Sequence, residues 1–485
     1  MEICGLFAIL ENMTVTIRWS LQDSHGSRRP VKKENNIMYR ENFKTELPQF
    51  SDRQVLISEL GAVSGTFSDE AGRQNAKVIN HAIRELSEHG GGTLVIPAGI
   101  WASAPIRLLS HVRLHLESQA LLKFTKTRED YPLVITNYEG QECIRAISPI
   151  MAEGAENIAI TGDGIIDGSG DLWRPVKRFK VTDIQWEALL KKSSFILSTK
   201  ETEIWMPTET ILTGNEKNIQ GTDENALKAA ADYYDFYRPV LLSLRHCKKI
   251  LLQGVTFMNS PAWNLHPFFC EDLTVDHVKV RNPYYAQNGD GIDVESCTNV
   301  HIHHCTFETG DDGICVKAGK NAVARTFYGP CSNIHIHDCI VYEGHGGFVI
   351  GSEMSRDVRD ILVERCTFLG TDVGIRLKSA LGRGGRIENI TIRDIDMMQI
   401  KQEAVILTMS YQLNLLDKDE EIIQEAEEDV PHFDGIHMER IRCYGCETAV
   451  KIDPLAGRSD TITNVTLRDS MIVQNDAVVI ERIGD

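Results

Sequence analysis

From residue ~109 onward the chain repeats one short pattern, an apolar residue followed by two polar ones and then alternating apolar positions. It begins at Leu109-Ser-His-Val-Arg-Leu and recurs at Ala155-Glu-Asn-Ile-Ala-Ile, Cys247-Lys-Lys-Ile-Leu-Leu, Cys270-Glu-Asp-Leu-Thr-Val, Cys297-Thr-Asn-Val-His-Ile and Cys331-Ser-Asn-Ile-His-Ile. Further copies stand at Val358-Arg-Asp-Ile-Leu-Val, Ile387-Glu-Asn-Ile-Thr-Ile, Phe433-Asp-Gly-Ile-His-Met and Ile462-Thr-Asn-Val-Thr-Leu. Alternation of period two predicts short strands with one buried face. From 247 the starts differ by 23, 27, 34, 27, 29, 46 and 29 residues, one short turn of chain plus variable loops, and similarity at such spacing predicts a solenoid. The expected fold is all-β, a right-handed parallel β-helix of about ten or more coils, each with three short strands and with Asn or Gly at the bends.

Ahead of the coils, Ala76, Val78, Ile79, Ala82, Ile83 and Leu86 fall at helical spacing within Asp69 to His89, and Gly90-Gly-Gly-Thr-Leu-Val-Ile-Pro-Ala-Gly follows. This predicts an N-terminal helix that caps the open end of the solenoid. Residues 1–50 read as an N-terminal extension and 51–485 as a single β-helix domain. Residues 171–238 interrupt the strand pattern; Trp173, Trp186, Trp205 and a helix over Glu224 to Phe236 fall there, and so long an excursion is expected to form a lid or a binding wall. A second interruption, Asp417 to Glu428, has seven acidic residues among its twelve and reads as a solvated surface loop.

The composition, 42% hydrophobic and 25% charged over 485 residues, supplies a large core and excludes disorder. A net charge of -18 argues against nucleic-acid or anionic-membrane partners, so any grip on an acidic ligand needs a local basic cluster. No run approaches the roughly 20 apolar residues of a membrane span. Ile3 to Leu10 is apolar, but Glu2 precedes it and neither a basic region nor a small-residue cleavage site accompanies it, so no signal peptide is expected. The expected compartment is the cytoplasm, with periplasmic or secreted placement the alternative if the N-terminus is altered. Of the twelve cysteines, Cys247, Cys270, Cys297 and Cys331 occupy the same repeat position, which reads as a stacked core column rather than as disulfides or metal ligands and favours a reducing compartment. Cys443-Tyr-Gly-Cys446 is a CxxC without a second pair.

Candidate chemistry lies in four consecutive coils. Aligned on a recurring glycine, Gly289-Asp290-Gly291-Ile292, Asp311-Asp312-Gly313-Ile314, His345-Gly346-Gly347-Phe348 and Asp372-Val373-Gly374-Ile375-Arg376-Leu377-Lys378 place Asp290 with Asp312, and Asp311 with His345, at shared phases. On a β-helix, three carboxylates, an imidazole, a guanidinium and an ammonium would converge within roughly 15 to 20 Å. Asp and Gly taken singly are ordinary turn residues; the coincidence of six groups at one phase is not. Stacked carboxylates repel, so at least one should keep a proton near neutral pH while its neighbours stay ionised, the pairing that glycoside hydrolysis requires. Arg376 and Lys378 point to the same face and would hold a substrate carboxylate, or else neutralise the aspartates.

Asn288-Gly-Asp290, Gly310-Asp311-Asp312, Gly344-His345-Gly346 and Arg376-Leu-Lys378 resemble the four ordered signatures of the polygalacturonase family of glycoside hydrolases, family 28, whose fold is the right-handed parallel β-helix. The resemblance spans about residues 57 to 480. It implies that Asp311 is the general acid, that Asp290 and Asp312 activate water for inversion, that His345 supports the acid, and that Asn288, Arg376 and Lys378 bind galacturonate. Gly289 stands where Thr is usual, Leu377 where Ile is, and Gly313 where many members have Cys; none of these removes a titrating group. The segment Ser260-Pro-Ala-Trp263-Asn-Leu-His266-Pro resembles one found in bacterial exo-acting members, so Trp263 and His266 are either substrate-binding or coil-packing residues. The implied substrate is an acidic polysaccharide or oligosaccharide, hydrolysed from one end with inversion, without cofactor or metal. Stacking at one coil step predicts carboxylates about 5 Å apart, a spacing the general rule associates with retention. Alternatives are a rhamnogalacturonan or other pectin glycosidase, a calcium-dependent pectate lyase, and a non-catalytic carbohydrate-binding β-helix.

Overall fold

The computed structural model describes residues 43–479 apart from 218, 220, 412–425 and 476. Residues 1–42 of the expected extension and 417–425 of the acidic interruption therefore lie outside the described residues. The coils form as the repeat requires. The residue two places after the repeat's apolar start adopts a left-handed conformation in coil after coil, as at Asn157, Asp272, Asn299, Asn333, Asp360, Asn389 and Gly435. Asn, Asp and Gly tolerate this conformation best, which is why they occupy that bend. Side-chain amides join successive bends, Asn333 donating to Asn299 Oδ1 at 2.5 Å and Asn389 to Asp360 Oδ1 at 2.6 Å.

After the bend, alternate residues turn inward: Ile250 pairs in parallel register with Leu273, Leu273 with Val300, Val300 with Ile334 and Ile334 with Ile361. All are buried in one continuous core. The result is a parallel β-helix, right-handed as parallel crossovers are. One face is a ten-stranded sheet from Ile106–Arg107 to Thr448–Asp453, and a twenty-two-stranded sheet supplies the others. Arg386–Met398 and His432–Cys446 turn the corner without a break, through left-handed Asp394 and Arg440.

The thiol column is core, as expected: Cys247, Cys270, Cys297 and Cys331 are buried and free, and Cys270 N donates to Cys297 Sγ at 3.3 Å. A second column, Cys305, Cys339 and Cys366, precedes the second strand of three successive coils. Cys443 and Cys446 are buried and free as well.

Helix Asp69–Glu88 covers the first coil, its N-terminus capped by the Ser68 side chain accepting from Ala71 N. It buries Ala76, Ile79, Ala82, Ile83 and Leu86 against the core. It ends where Gly90 and Gly91 take positive φ; a Cβ on Gly91 would lie 2.5 Å from His111 O. Residues 43–50, assigned to the extension from sequence, belong to the folded body: Thr45 hydrogen-bonds Thr274, Glu46 N donates to Asp272 and Lys249 pairs with Glu46. These polar contacts carry no hydrophobic periodicity, which hid them.

The described residues of 171–238 fold into a wall beside the ten-stranded sheet. It holds a small antiparallel sheet of Val176–Lys177, Glu203–Met206 and Phe195–Ser198 and helices Asp183–Leu190, Glu209–Lys217 and Glu224–Ala230. The helix expected over Glu224 to Phe236 breaks at Ala231, where a 3-10 turn with a non-helical Tyr233 completes it. Trp186 and Trp205 pack with Val176 in a small core of the wall, and Trp173 packs in a separate cluster with Tyr131, Ala146 and Tyr234. The wall is pinned to the coils at Asp235, which lies 3.1 Å from Lys126 and 2.9 Å from Arg128 and accepts from Thr208 and Thr210. A hairpin, Leu133–Tyr138 with Gln141–Ala146, adds to the wall and went unread in the sequence.

Candidate active site

The ten-stranded sheet aligns the four polar segments in the phase the sequence anticipates. Ile292 pairs with Ile314, Ile314 with Phe348 and Phe348 with Ile375. Asp290 and Asp312 therefore precede these paired residues by two positions, and Asp311, His345 and Asp372 precede them by three. Glycine is required where the loops crowd: a Cβ on Gly310 would meet Ala286 O at 2.5 Å.

Asp290, Asp311 and Asp312 each bring one carboxylate oxygen within 4.8 Å of the others. Asp290 and Asp312 are 4% and 2% exposed, whereas the Asp311 side chain keeps 20% exposure. Asp290 Oδ1 and Asp312 Oδ1 are buried and accept no hydrogen bond among the described residues. The other oxygen of Asp312 lies 2.9 Å from Lys378 Nζ. His345 Nδ1 is 3.1 Å from Asp311 Oδ1, and its Nε2 is 3.7 Å from Asp372 Oδ2.

Burial, then Asp311, Asp293 and Asp312, pushes Asp290 well above the usual carboxylate range. Burial also works to raise Asp311, but the charge and hydrogen bond of His345, with Lys378 and Lys180, outweigh it and hold Asp311 low. These directions favour a proton on Asp290 over one on Asp311 in the free protein, whereas the family resemblance gives the acid role to Asp311. The difference arises because, of the three clustered aspartates, only Asp311 pairs with the imidazole.

The two cations of strand Val373–Lys378 differ in their pairing. Lys378 neutralises Asp312, as the charge-balancing alternative holds. Arg376 makes no ion pair or hydrogen bond among the described residues; its Nε is buried without a partner and its guanidinium lies 5.7 Å from the Tyr411 ring. It is therefore open to a ligand carboxylate.

Asn288 adopts a left-handed conformation, and its Oδ1 accepts from Arg238 Nη2 at 2.9 Å. Trp263 and His266 are both 2% exposed, so they lie beneath the groove surface. Trp263 stacks on Tyr138 at 4.1 Å, and His266 Nε2 sits 2.9 Å from Glu295 Oε2. Beside them runs a buried ionic chain in which Lys317 Nζ lies 3.0 Å from Glu353 and 3.6 Å from Asp293.

Sequence reasoning missed Lys180, Asp372 and Lys317. Lys180 comes from the wall: its Nζ donates to Gly310 O at 2.9 Å and Tyr284 O at 3.3 Å, and lies 3.2 Å from His345 Nε2. Burial lowers its pKa. No local signal marks Lys180, since its contacts span more than a hundred residues. Asp372 shares the phase of Asp311 and His345 and was legible from the alignment on glycine.

Residues 197–481, more than half of the chain, match the sequence family described as Glycosyl hydrolases family 28. A probable polygalacturonase of Vitis vinifera is 27% identical over 337 residues, covering 67% of this chain and 58% of that protein. The exo-poly-alpha-D-galacturonosidase of Dickeya chrysanthemi is 28% identical over 329 residues, 66% of this chain and 52% of that protein. The matches thus span little more than half the length of these curated relatives. Among solved structures, a hyperthermoactive exopolygalacturonase from Thermotoga maritima superimposes with a TM-score of 0.69 at 26% identity, covering 91% of this chain and 97% of that one.

Proposed function

The chain belongs to glycosyl hydrolases family 28, and from that premise we propose that it hydrolyses α-1,4-galacturonosidic bonds of pectin-derived galacturonate oligomers, acting from a chain end with inversion. The observation that carries this reading is the convergence of Asp290, Asp311 and Asp312 within 4.8 Å beside His345 and an unpaired Arg376. Arg376 takes the substrate carboxylate through its planar fork. Asp311, the most open of the three aspartates, faces the leaving oxygen and delivers the proton that the cluster shares. Once the shared proton has passed from Asp290 to Asp311, Asp290 Oδ1 and Asp312 Oδ1 offer the two free acceptors that position and deprotonate a water. Asp312 is held in place by Lys378, and His345 orients Asp311. Trp263 and His266 act from below, supporting the groove through Tyr138 and Glu295.

Exo action is supported by the wall, which reaches the site through Lys180 and Arg238, and by the exo-acting Thermotoga maritima and Dickeya chrysanthemi proteins. A wall that closes one end of the groove would leave room for a chain terminus and little beyond it. The free thiols support a reducing compartment, and with it cytoplasmic work on short oligomers.

The test is digestion of reducing-end-labelled oligogalacturonides in EDTA, followed by chromatography and by proton NMR of the nascent anomer. The proposal expects a single short product from the outset, the inverted anomer and no ultraviolet-absorbing unsaturated sugar. Mixed oligomers at early times would refute exo action, a retained anomer would refute inversion, and an unsaturated product would refute hydrolysis.

A further inference from the structure

On another face of the solenoid, remote in function from the carboxylate groove, the repeat stacks histidines instead of hydrophobic residues. Strand Thr298–His303 turns Val300 and Ile302 inward and His301 and His303 outward. The next coil, Cys331–His337, sets His335 opposite His301 and His337 opposite His303. The rings stack at 5.4 Å for His301 with His335 and 5.2 Å for His303 with His337. His301, His335 and His337 are half-buried, and each brings a ring nitrogen within 4.8 Å of the other two.

We propose that His301, His335 and His337 form a binding site for one divalent transition-metal ion of the zinc class, clamping two adjacent coils. His301 Nε2 and His337 Nε2 lie 2.8 Å apart, facing each other. Bonds of about 2.0–2.1 Å to a tetrahedral ion require nitrogens roughly 3.3 Å apart, an opening that half-buried side chains reach by small rotations. The His337 Nδ1 is 2.6 Å from Asp338 Oδ2, which leaves Nε2 as the ligand atom in a carboxylate–histidine–metal arrangement. Arg365 fixes Asp338 in turn, with Nε and Nη2 each 3.0 Å from its oxygens. His335 Nε2 is 3.3 Å from Glu364 Oε1, and Phe43 lies edge-on over His301 and His335 at 5.4 and 5.6 Å, shielding the donors with an apolar ring. Three imidazoles suit zinc, copper or nickel and reject calcium, which takes oxygen donors. The neighbouring Asp276, His303 and His304 make a second, mixed group of donors that is more open to solvent, His304 being exposed, and that offers two imidazoles instead of three. The sequence carried no metal assignment, because neither histidine pair shows a zinc-ligand spacing; the third ligand arrives only when two coils stack.

Calorimetric titration of tag-free, EDTA-stripped protein with zinc sulfate, and in parallel with calcium chloride, tests the site. The expected result is saturable binding of zinc, none of calcium, and a zinc-dependent rise in Tm. His301→Ala and His337→Ala should each weaken zinc at least about tenfold, and Asp338→Asn, which removes only the supporting carboxylate, about 10- to 100-fold. Asp312→Asn in the groove should leave zinc affinity unchanged, and circular dichroism of each variant should match the parent. Absence of saturable zinc binding would overturn the assignment, as would affinity that survives both histidine variants. Loss of zinc in Asp312→Asn, or in His304→Ala but not in His301→Ala, would overturn it in favour of other donors.

Discussion

Arg376 and Lys378 stand two residues apart on one strand, and the sequence offers no means of telling their roles apart; the structure predicts that their removal has opposite signatures. Lys378 Nζ lies 2.9 Å from Asp312 Oδ2, with side chains 8% and 2% exposed, so Lys378→Met strands a buried carboxylate beside two others. Breaking a buried pair in this way costs about 3–5 kcal/mol of stability. Arg376→Met strands nothing, and loses at most about 1 kcal/mol from the guanidinium over Tyr411 at 5.7 Å. Its cost appears on substrate. A bidentate, charge-assisted contact to a galacturonate carboxylate is worth about 1.5–3 kcal/mol, or roughly 10- to 150-fold in kcat/KM. Urea unfolding followed by circular dichroism reads the first effect, and initial rates on a galacturonate oligomer and its methyl ester read the second. Lys378→Met should lower the unfolding midpoint, and adding Asp312→Asn should restore it. Arg376→Met should hold its midpoint, lose efficiency on the acid and lose little on the ester. Equal destabilisation by the two substitutions, or an equal loss on acid and ester, would refute the reasoning.

Other expectations follow from the same contacts. Asp290 has a raised pKa, so its stabilising contribution is complete below the unfolded carboxylate value of about 3.9 and is lost as pH rises toward the folded value. Asp290→Asn should therefore flatten the fall in urea midpoint above pH ~4 while abolishing turnover. Lys180→Met should lower kcat about tenfold with KM little changed, the net worth of one charge-assisted hydrogen bond, and Lys180→Arg should recover part of it; a change confined to KM would remove Lys180 from the His345 contact. Asp235, buried but held down to about 2 by Lys126, Arg128 and Thr210, contributes stability above the unfolded value that is lost as pH falls toward 2. Asp235→Ala should loosen the wall, read as faster proteolysis within residues 171–238 and a loss of about 3–5 kcal/mol.

The coils were legible because their cause is local. Each bend needs a residue that tolerates a left-handed backbone, and each strand an alternation of two, so Asn299, Asn333 and Asn389 announce the fold in one dimension. The shared phase of the polar segments was legible for the same reason, since a regular coil turns sequence alignment into spatial alignment, and Asp290, Asp311, Asp312 and His345 meet where the glycines place them. Trp263 and His266 were ambiguous because burial beneath a groove and exposure within it leave the same residue types. Lys180, Arg238 and Lys317 were invisible for a different reason: their partners lie across a wall or a neighbouring coil, and a single lysine or arginine carries no periodicity. Which of the stacked aspartates keeps a proton was not legible either, because that depends on which carboxylate the imidazole touches, a matter of a few ångströms.

The central claim is that the carboxylate cluster is catalytic and that Asp311 delivers the proton. Comparing turnover and equilibrium binding of a galacturonate oligomer by wild type and Asp311→Asn, in EDTA, tests it most directly. Loss of a proton donor is worth about 10²- to 10⁴-fold in rate, with binding retained. Hydrolysis by Asp311→Asn at the wild-type rate would contradict the account.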